Sequence, residues 1–294
     1  MSNRIEALTQ INLDDLVTSF GWQNQPLLAR FLRRTFMKPA RTFAHQMADF
    51  DTPVGTYGLA EAARLTLRHY VRDIRIFGAN RIPEGPFLAL SNHPGMSDTL
   101  SVFVALDRPD LKIIAFKRPF LNALPNVSKQ LVYLTDDPAS RITLVRKVST
   151  HLRNGGAALT FPAGRIEPDP DVHTGAMESL ESWTDSAAVF LRLAPETTVL
   201  PVLVRGVVWK KTANHPLLHL KRTPAEREKL AAALQLLAYT IWKVKPVTVR
   251  VQIGAPIHAK DLGTTETSVI HQAVLVEMKR LIENPPEGQG ESAI

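Results

Sequence analysis

The chain of 294 residues contains no cysteine. Disulfides, thiolate metal sites and a cysteine nucleophile are therefore excluded, although the cellular compartment stays open. No window reaches the roughly 18 uninterrupted apolar residues that a spanning helix needs. The nearest stretches, Leu230–Trp242 and Val199–Trp209, are too short or carry Arg205. Met1 to Asp15 mixes charged and polar groups with isolated apolar ones, so neither a secretory signal nor a transit segment is expected. No internal repeat, basic-aromatic module or zinc pattern is visible, which leaves nucleic-acid binding without a motif. What is present is a globular composition, 45% hydrophobic and 21% charged, with length enough for one large core or a core with a smaller satellite. The net charge of +7 favours an anionic partner: nucleic acid, phospholipid headgroups or a phosphorylated substrate.

The pattern changes along the chain. Residues 1–71 read as a helical segment, with Leu27, Leu28, Phe31, Leu32, Phe36 and Phe43 at helix-like spacing and Arg30, Arg33, Arg34, Lys38 and Arg41 interleaved. Two readings fit: a core-packing helix with a solvated basic face, or an interfacial helix drawn to anionic lipid. A second helix is expected over Leu59–His69. Residues 72–258 alternate short apolar strands with helices. The strands are expected at Ile74–Phe77, Phe87–Leu90, Lys112–Phe116, Leu131–Leu134, Ala157–Phe161, Val199–Val204 and Thr248–Ile253. Helices are expected at Thr99–Leu106, Ser140–Asn154, Ser186–Leu193 and Ala225–Trp242. This order predicts an α/β fold, an αβα sandwich around a mixed, mostly parallel sheet. Residues 259–294 add a closing helix from Thr267 to Ile282 and a loose tail from Glu283.

Ligands of open α/β sheets gather where strands give way to helices, and four segments fall at or near such ends. In Ser91-Asn92-His93-Pro94-Gly95-Met96-Ser97-Asp98 the Pro-Gly pair forces a turn, so His93 and Asp98 can meet. A carboxylate on one imidazole nitrogen fixes the tautomer and leaves the other free to accept a proton. The plainer reading is a helix cap from Ser97 or Asp98 beside an incidental histidine. Phe161-Pro162-Ala163-Gly164-Arg165-Ile166-Glu167 offers a glycine turn and a guanidinium suited to phosphate or carboxylate, or simply a common Pro-x-Gly turn. Val199–Arg205 reads as a buried strand carrying Pro201, and by itself as core. Tyr133–Asp137 leads to Arg141, with Asp136 or Asp137 as a helix cap.

Taken together, the order of these four segments resembles the PlsC-like glycerolipid acyltransferase family. Its His-x4-Asp box is matched by His93 and Asp98. A second block ending in a phosphate-holding arginine is matched by Arg141, or alternatively Arg118. A Phe-Pro-Glu-Gly-Thr-Arg block is resembled by Phe161–Arg165 and a Val-Pro strand by Leu200-Pro201-Val202. The chain departs from the family in carrying Ala163 where a glutamate is usual and Arg165 directly after Gly164; Glu167 is the candidate replacement carboxylate. The resemblance implies transfer of a fatty acyl group from acyl-CoA or acyl-carrier protein to a hydroxyl of a glycerol-phosphate or lysophospholipid-type acceptor. His93 would be the general base and Asp98 its orienting acid, with Gly164, Arg165, Glu167 and Arg141 or Arg118 binding substrate. No metal or other cofactor is implied. The partners would be an acyl thioester, a lipid or glycerol-phosphate acceptor and an anionic membrane surface, with a cytoplasmic or inner-face peripheral location and no nucleic acid. Two competing readings are a non-catalytic lipid-binding protein of the same fold and a metallohydrolase using His93, Asp98, Glu167 and His173.

Overall fold

The computed structural model describes residues 2–135 and 137–294; Asp136, one of the two candidate caps, lies outside them. Two helices open the chain, α1 (Ser2–Phe20) and α2 (Pro26–Leu67). They run antiparallel: Arg4 pairs with Asp51 at 3.1 Å, the Asn12 amide donates to the Ala40 carbonyl, and Asp14 pairs with Arg33. The second expected helix follows directly: α2 is two helical stretches that meet at a kink at Gly58, whose backbone (φ 84, ψ 177) is not helical, so the later stretch begins at Leu59 as expected. A side chain is rarely tolerated in that conformation, so glycine sets the bend.

Eight strands follow: β1 (Asp73–Phe77), β2 (Phe87–Ser91), β3 (Lys112–Phe116), β4 (Leu131–Leu134), β5 (Ala157–Thr160), β6 (Thr198–Arg205), β7 (Thr248–Ile253) and β8 (Glu291–Ser292). Between them lie α3 (Met96–Leu106), α4 (Pro138–Arg153), α5 (Ala187–Leu193), α6 (Pro224–Trp242) and α7 (Thr267–Glu283). The sheet order is β4-β3-β5-β2-β6-β7-β1-β8; only the β6–β7 and β1–β8 pairs are antiparallel. The fold is thus α/β, a mixed and mostly parallel sheet between helical layers, with the N-terminal helices packed on one of its faces.

Period-2 alternation decides which side chain meets which layer. On β2, Phe87 and Ala89 join α2 and α3 in one apolar cluster, whereas Leu88 and Leu90 join α4, α5 and α7 in the other. A strand buried on both faces has no polar positions to show, which is why Phe87–Leu90 reads as a continuous apolar run. Pro201 sits inside β6 without breaking it. Its carbonyl accepts the Gly254 N–H at 2.8 Å, on the side where β7 has already ended, and pairing resumes between Val199 and Ile257. The missing N–H therefore faces a gap in the ladder.

The tail is not loose. Glu291 and Ser292 pair antiparallel with Ile76 and Arg75, the Ala293 N–H donates to the Ile74 carbonyl at 3.0 Å, and Arg64 Nε donates to the Ala293 carbonyl at 3.0 Å. The tail covers what would otherwise be an open edge of β1.

Candidate active site

The site grows from the end of β2. Ser91 is the last ladder residue, and the Asn92 side chain continues the pairing that the backbone gives up: its amide donates to the Val204 carbonyl at 2.9 Å while its oxygen accepts the Val204 N–H at 2.7 Å. This buried two-way bond locks the position from which His93 departs. Pro94 and Gly95 then turn the chain into α3, and Asp98 falls in the first helical turn.

Asp98 is fully buried, and its carboxylate is saturated. One oxygen accepts from His93 Nδ1 at 2.8 Å and from the Gly95 N–H at 2.8 Å; the other accepts from the Thr99 hydroxyl at 3.0 Å and from the Thr99 N–H. The imidazole thus presents Nδ1–H to Asp98 and keeps Nε2 free, with 32% of its side chain exposed. Its ring lies 5.0 Å from the ring of Phe161, tilted. Burial alone pulls the His93 pKa down. The Asp98 charge and hydrogen bond, helped by Glu167, outweigh that and hold it above 6.5, against a smaller opposing push from Arg118.

Glu167 is buried and clamps the same residue from behind. Its carboxylate accepts the His93 N–H at 3.1 Å, Trp183 Nε1 at 2.7 Å and the Ser179 hydroxyl at 3.2 Å, and its own N–H donates to the His93 carbonyl at 2.9 Å. Burial lifts its pKa to about 7, against the lowering effect of those donors. Its geometry is that of a group fixing His93, with no oxygen turned toward solvent.

The other candidates are spread around this centre. Gly164 (φ 62) closes a turn in which its N–H donates to the Phe161 carbonyl at 3.0 Å, and its backbone lies against the Phe116 ring. Arg165 is exposed and its charge reaches Glu228 on α6, opposing the upward push of burial there. Arg118 is exposed at the head of a one-turn helix (Pro119–Asn122), close enough for its charge to act on His93. Arg141, on the first turn of α4, bonds only to the Thr135 carbonyl among the described residues, at 3.4 Å. Asp137 caps that helix by accepting the Ser140 N–H and hydroxyl, both at 2.8 Å. The structure therefore brings His93, Asp98 and Glu167 together with Phe161, sets Arg118 within electrostatic reach, and shows no hydrogen bond or ion pair between Arg141 and these residues. Burial lowers the His173 pKa, its Nε2 has no partner, and it does not join His93, Asp98 and Glu167: among the described residues no three His, Asp or Glu side chains form a metal-holding group.

Three contributors have roles that only the tertiary fold reveals: Asn92, Trp183 and Asp169. The Asp169 carboxylate, fully buried, accepts the N–H groups of Gly206, Val207 and Val208 at 2.7–3.0 Å, fixing the chain as it leaves β6. Next to it, Asp171 pairs with Arg250 and with the buried Arg205, whose other nitrogen caps the carbonyls of Leu281 and Ile282 at the end of α7.

No protein-family model matches this chain, and no curated protein matches it. Among solved structures it is similar to the 1-acyl-sn-glycerophosphate (LPA) acyltransferase PlsC from Thermotoga maritima, at 18% identity and a TM-score of 0.48, over 97% of this chain and 98% of that one. A likeness that distant carries no argument about chemistry; the geometry of His93 and its partners has to.

Proposed function

We propose that this chain is an O-acyltransferase. It moves a fatty acyl group from acyl-CoA or acyl-carrier protein to a hydroxyl of a glycerol-phosphate or lysophospholipid-type acceptor. The observation that supports this reading is the imidazole held through Nδ1 by a buried, saturated carboxylate, with no protein partner on Nε2 and 32% of the side chain exposed. In that state Nε2 takes the proton of the acceptor hydroxyl as its oxygen attacks the thioester carbon, and Asp98 stabilises the imidazolium that forms. The thiolate then leaves and recovers the proton from His93. In this reading transfer is direct: the chain has no cysteine to carry an acyl group, and Ser97, inside the box, has no second base of its own to activate it. Arg118, whose charge acts on His93, is the first candidate for an anionic acceptor head, with Arg165 and Arg141 as the others.

The same reading takes an anionic membrane surface as the place of work. Leu27, Leu28 and Phe31 at the start of α2 are exposed, between Arg30, Arg33 and Arg34, the composition of an interfacial helix. No helix of the described residues is long and apolar enough to cross a membrane. A lipid-binding protein without activity would share this surface but would have no use for a poised imidazole.

The test is incubation with palmitoyl-CoA and either glycerol 3-phosphate or mixed lysophospholipids, read by mass spectrometry. His93→Ala is expected to lose about 10²–10⁴-fold of turnover with an unchanged melting temperature. Turnover equal to wild type in that variant would refute the mechanism.

A further inference from the structure

The proposed transfer needs a place for the negative charge that develops on the thioester oxygen, and Gly164 does not offer its N–H, which is engaged in its own turn. A second set of donors lies on the other side of the box. Between the loop that joins His93 to Asp98 and helix α6 is a small cavity whose walls include Gly95, Met96, Ser97, Val207, Gln235 and Tyr239. Its volume, about 20 Å³, accommodates one oxygen-sized group.

Several polar groups of its lining residues are donors without an acceptor. Met96 and Ser97 open α3, an 11-residue helix, so their N–H groups have no intrahelical acceptor and carry the positive end of its dipole. The Ser97 hydroxyl is 2% exposed and has no hydrogen-bond partner. The Tyr239 hydroxyl accepts from Gln235, and its own proton has no acceptor among the described residues. The Gln235 oxygen, the one side-chain amide acceptor, is occupied by the Trp209 N–H at 2.7 Å and by Thr212. No carboxylate lines the cavity. A buried hydroxyl left without a partner is costly in a folded chain, and donors converging on space for one oxygen describe an anion-stabilising hole. Asp98 ties this wall to the base, since one of its oxygens holds both His93 Nδ1 and the Gly95 N–H.

We propose that the Met96 and Ser97 N–H groups and the Ser97 hydroxyl form the oxyanion hole of the acyl-transfer reaction, with Ser97 as a catalytic residue. This rests on the acyltransferase reading. As His93 Nε2 removes the proton, the acceptor oxygen bonds to the thioester carbon and the C=O π pair moves onto the carbonyl oxygen, which these donors hold. The pair then returns, the C–S bond breaks, and the departing thiolate takes the proton back from the imidazolium. No acyl group is placed on Ser97.

Ser97→Ala is the decisive variant because its stability and its activity are expected to move independently. With no partner to lose, the variant keeps or raises its melting temperature. Its kcat with palmitoyl-CoA falls about 100-fold, while the KM for palmitoyl-CoA changes by less than about threefold. An acyl phosphonate, whose phosphoryl oxygen mimics the tetrahedral oxyanion, binds the variant at least tenfold more weakly than wild type, whereas palmitoyl-CoA binds both alike. Unchanged kcat in Ser97→Ala overturns the assignment. So does equal weakening toward phosphonate and palmitoyl-CoA, or a lost kcat that tracks a lowered melting temperature. A wild-type protein that transfers no acyl group to glycerol 3-phosphate or mixed lysophospholipids overturns the functional reading, and the oxyanion hole with it. An active wild type beside an equally active Ser97→Ala overturns the hole alone.

Discussion

At the scale of single residues the site is governed by two buried carboxylates that treat one histidine differently. Asp98 holds the ring and raises its affinity for a proton; Glu167 holds the backbone beneath it. In the proposed reaction the ring must be neutral to act as base, so kcat/KM in wild type should rise with pH through an ionisation above 6.5, the direction in which His93 is shifted. Asp98→Asn removes the charge that opposes burial, leaving desolvation as the largest influence. The acid limb of the profile should therefore move below 6.5, with a plateau lower than wild type, measured as kcat/KM from pH 5 to 9. A limb that stays in place would separate Asp98 from the titration of the base. The meeting of His93 with Asp98 is legible in the sequence because a Pro-Gly turn brings residues five apart together. The role of Glu167 is not, because its partners His93 and Trp183 are set by the tertiary fold, 74 and 16 residues away. Nor does Ala163, the departure from the family block, say that Glu167 would turn inward.

Among the elements, strands with β-branched apolar runs and clear breakers are read correctly from sequence: Lys112–Phe116, Leu131–Leu134 and Thr248–Ile253 keep those limits in the structure. What local pattern does not encode is pairing. The reversal between β6 and β7 and the two-residue β8 depend on long-range hydrogen bonds, and Glu291-Ser292 is too short and too polar to show a period. Within α2 the start of the second stretch at Leu59 is legible, but the bend itself is not, since Gly58 is one glycine among 15 and only its backbone angles mark it. Gly58→Ala meets no neighbouring atom, so its cost is conformational alone. It should destabilise the protein by about 1–3 kcal/mol, measured by urea unfolding, and a neutral result would mean that α2 can straighten without loss.

At the scale of the whole molecule, the net charge of +7 and the apolar side chains at the start of α2 point the same way. If that face meets lipid, as proposed, binding to vesicles containing phosphatidylglycerol should exceed binding to neutral ones and should weaken as salt rises. Phe31→Ser should lower it several-fold with little change in melting temperature, because Phe31 is 65% exposed. Equal partition onto neutral vesicles would leave the basic residues as a solvated helix face.

The segment from Glu167 to Asp171 joins regions distant in sequence. Within five residues, three acids fasten the His93 loop, the strand exit at Gly206–Val208, and two arginines, Arg250 on β7 and Arg205 on β6, the latter also bonded to the end of α7. Opening any one of these attachments pulls on the others, so the molecule should breathe there as one piece: in native-state hydrogen exchange, the amides of His93, Gly206, Val207 and Val208 should share a single opening free energy. The proposed reaction centre, assembled by one short strap, is then as rigid as that strap, and loosening the strap from a distance would slow the proposed chemistry without touching a reacting atom.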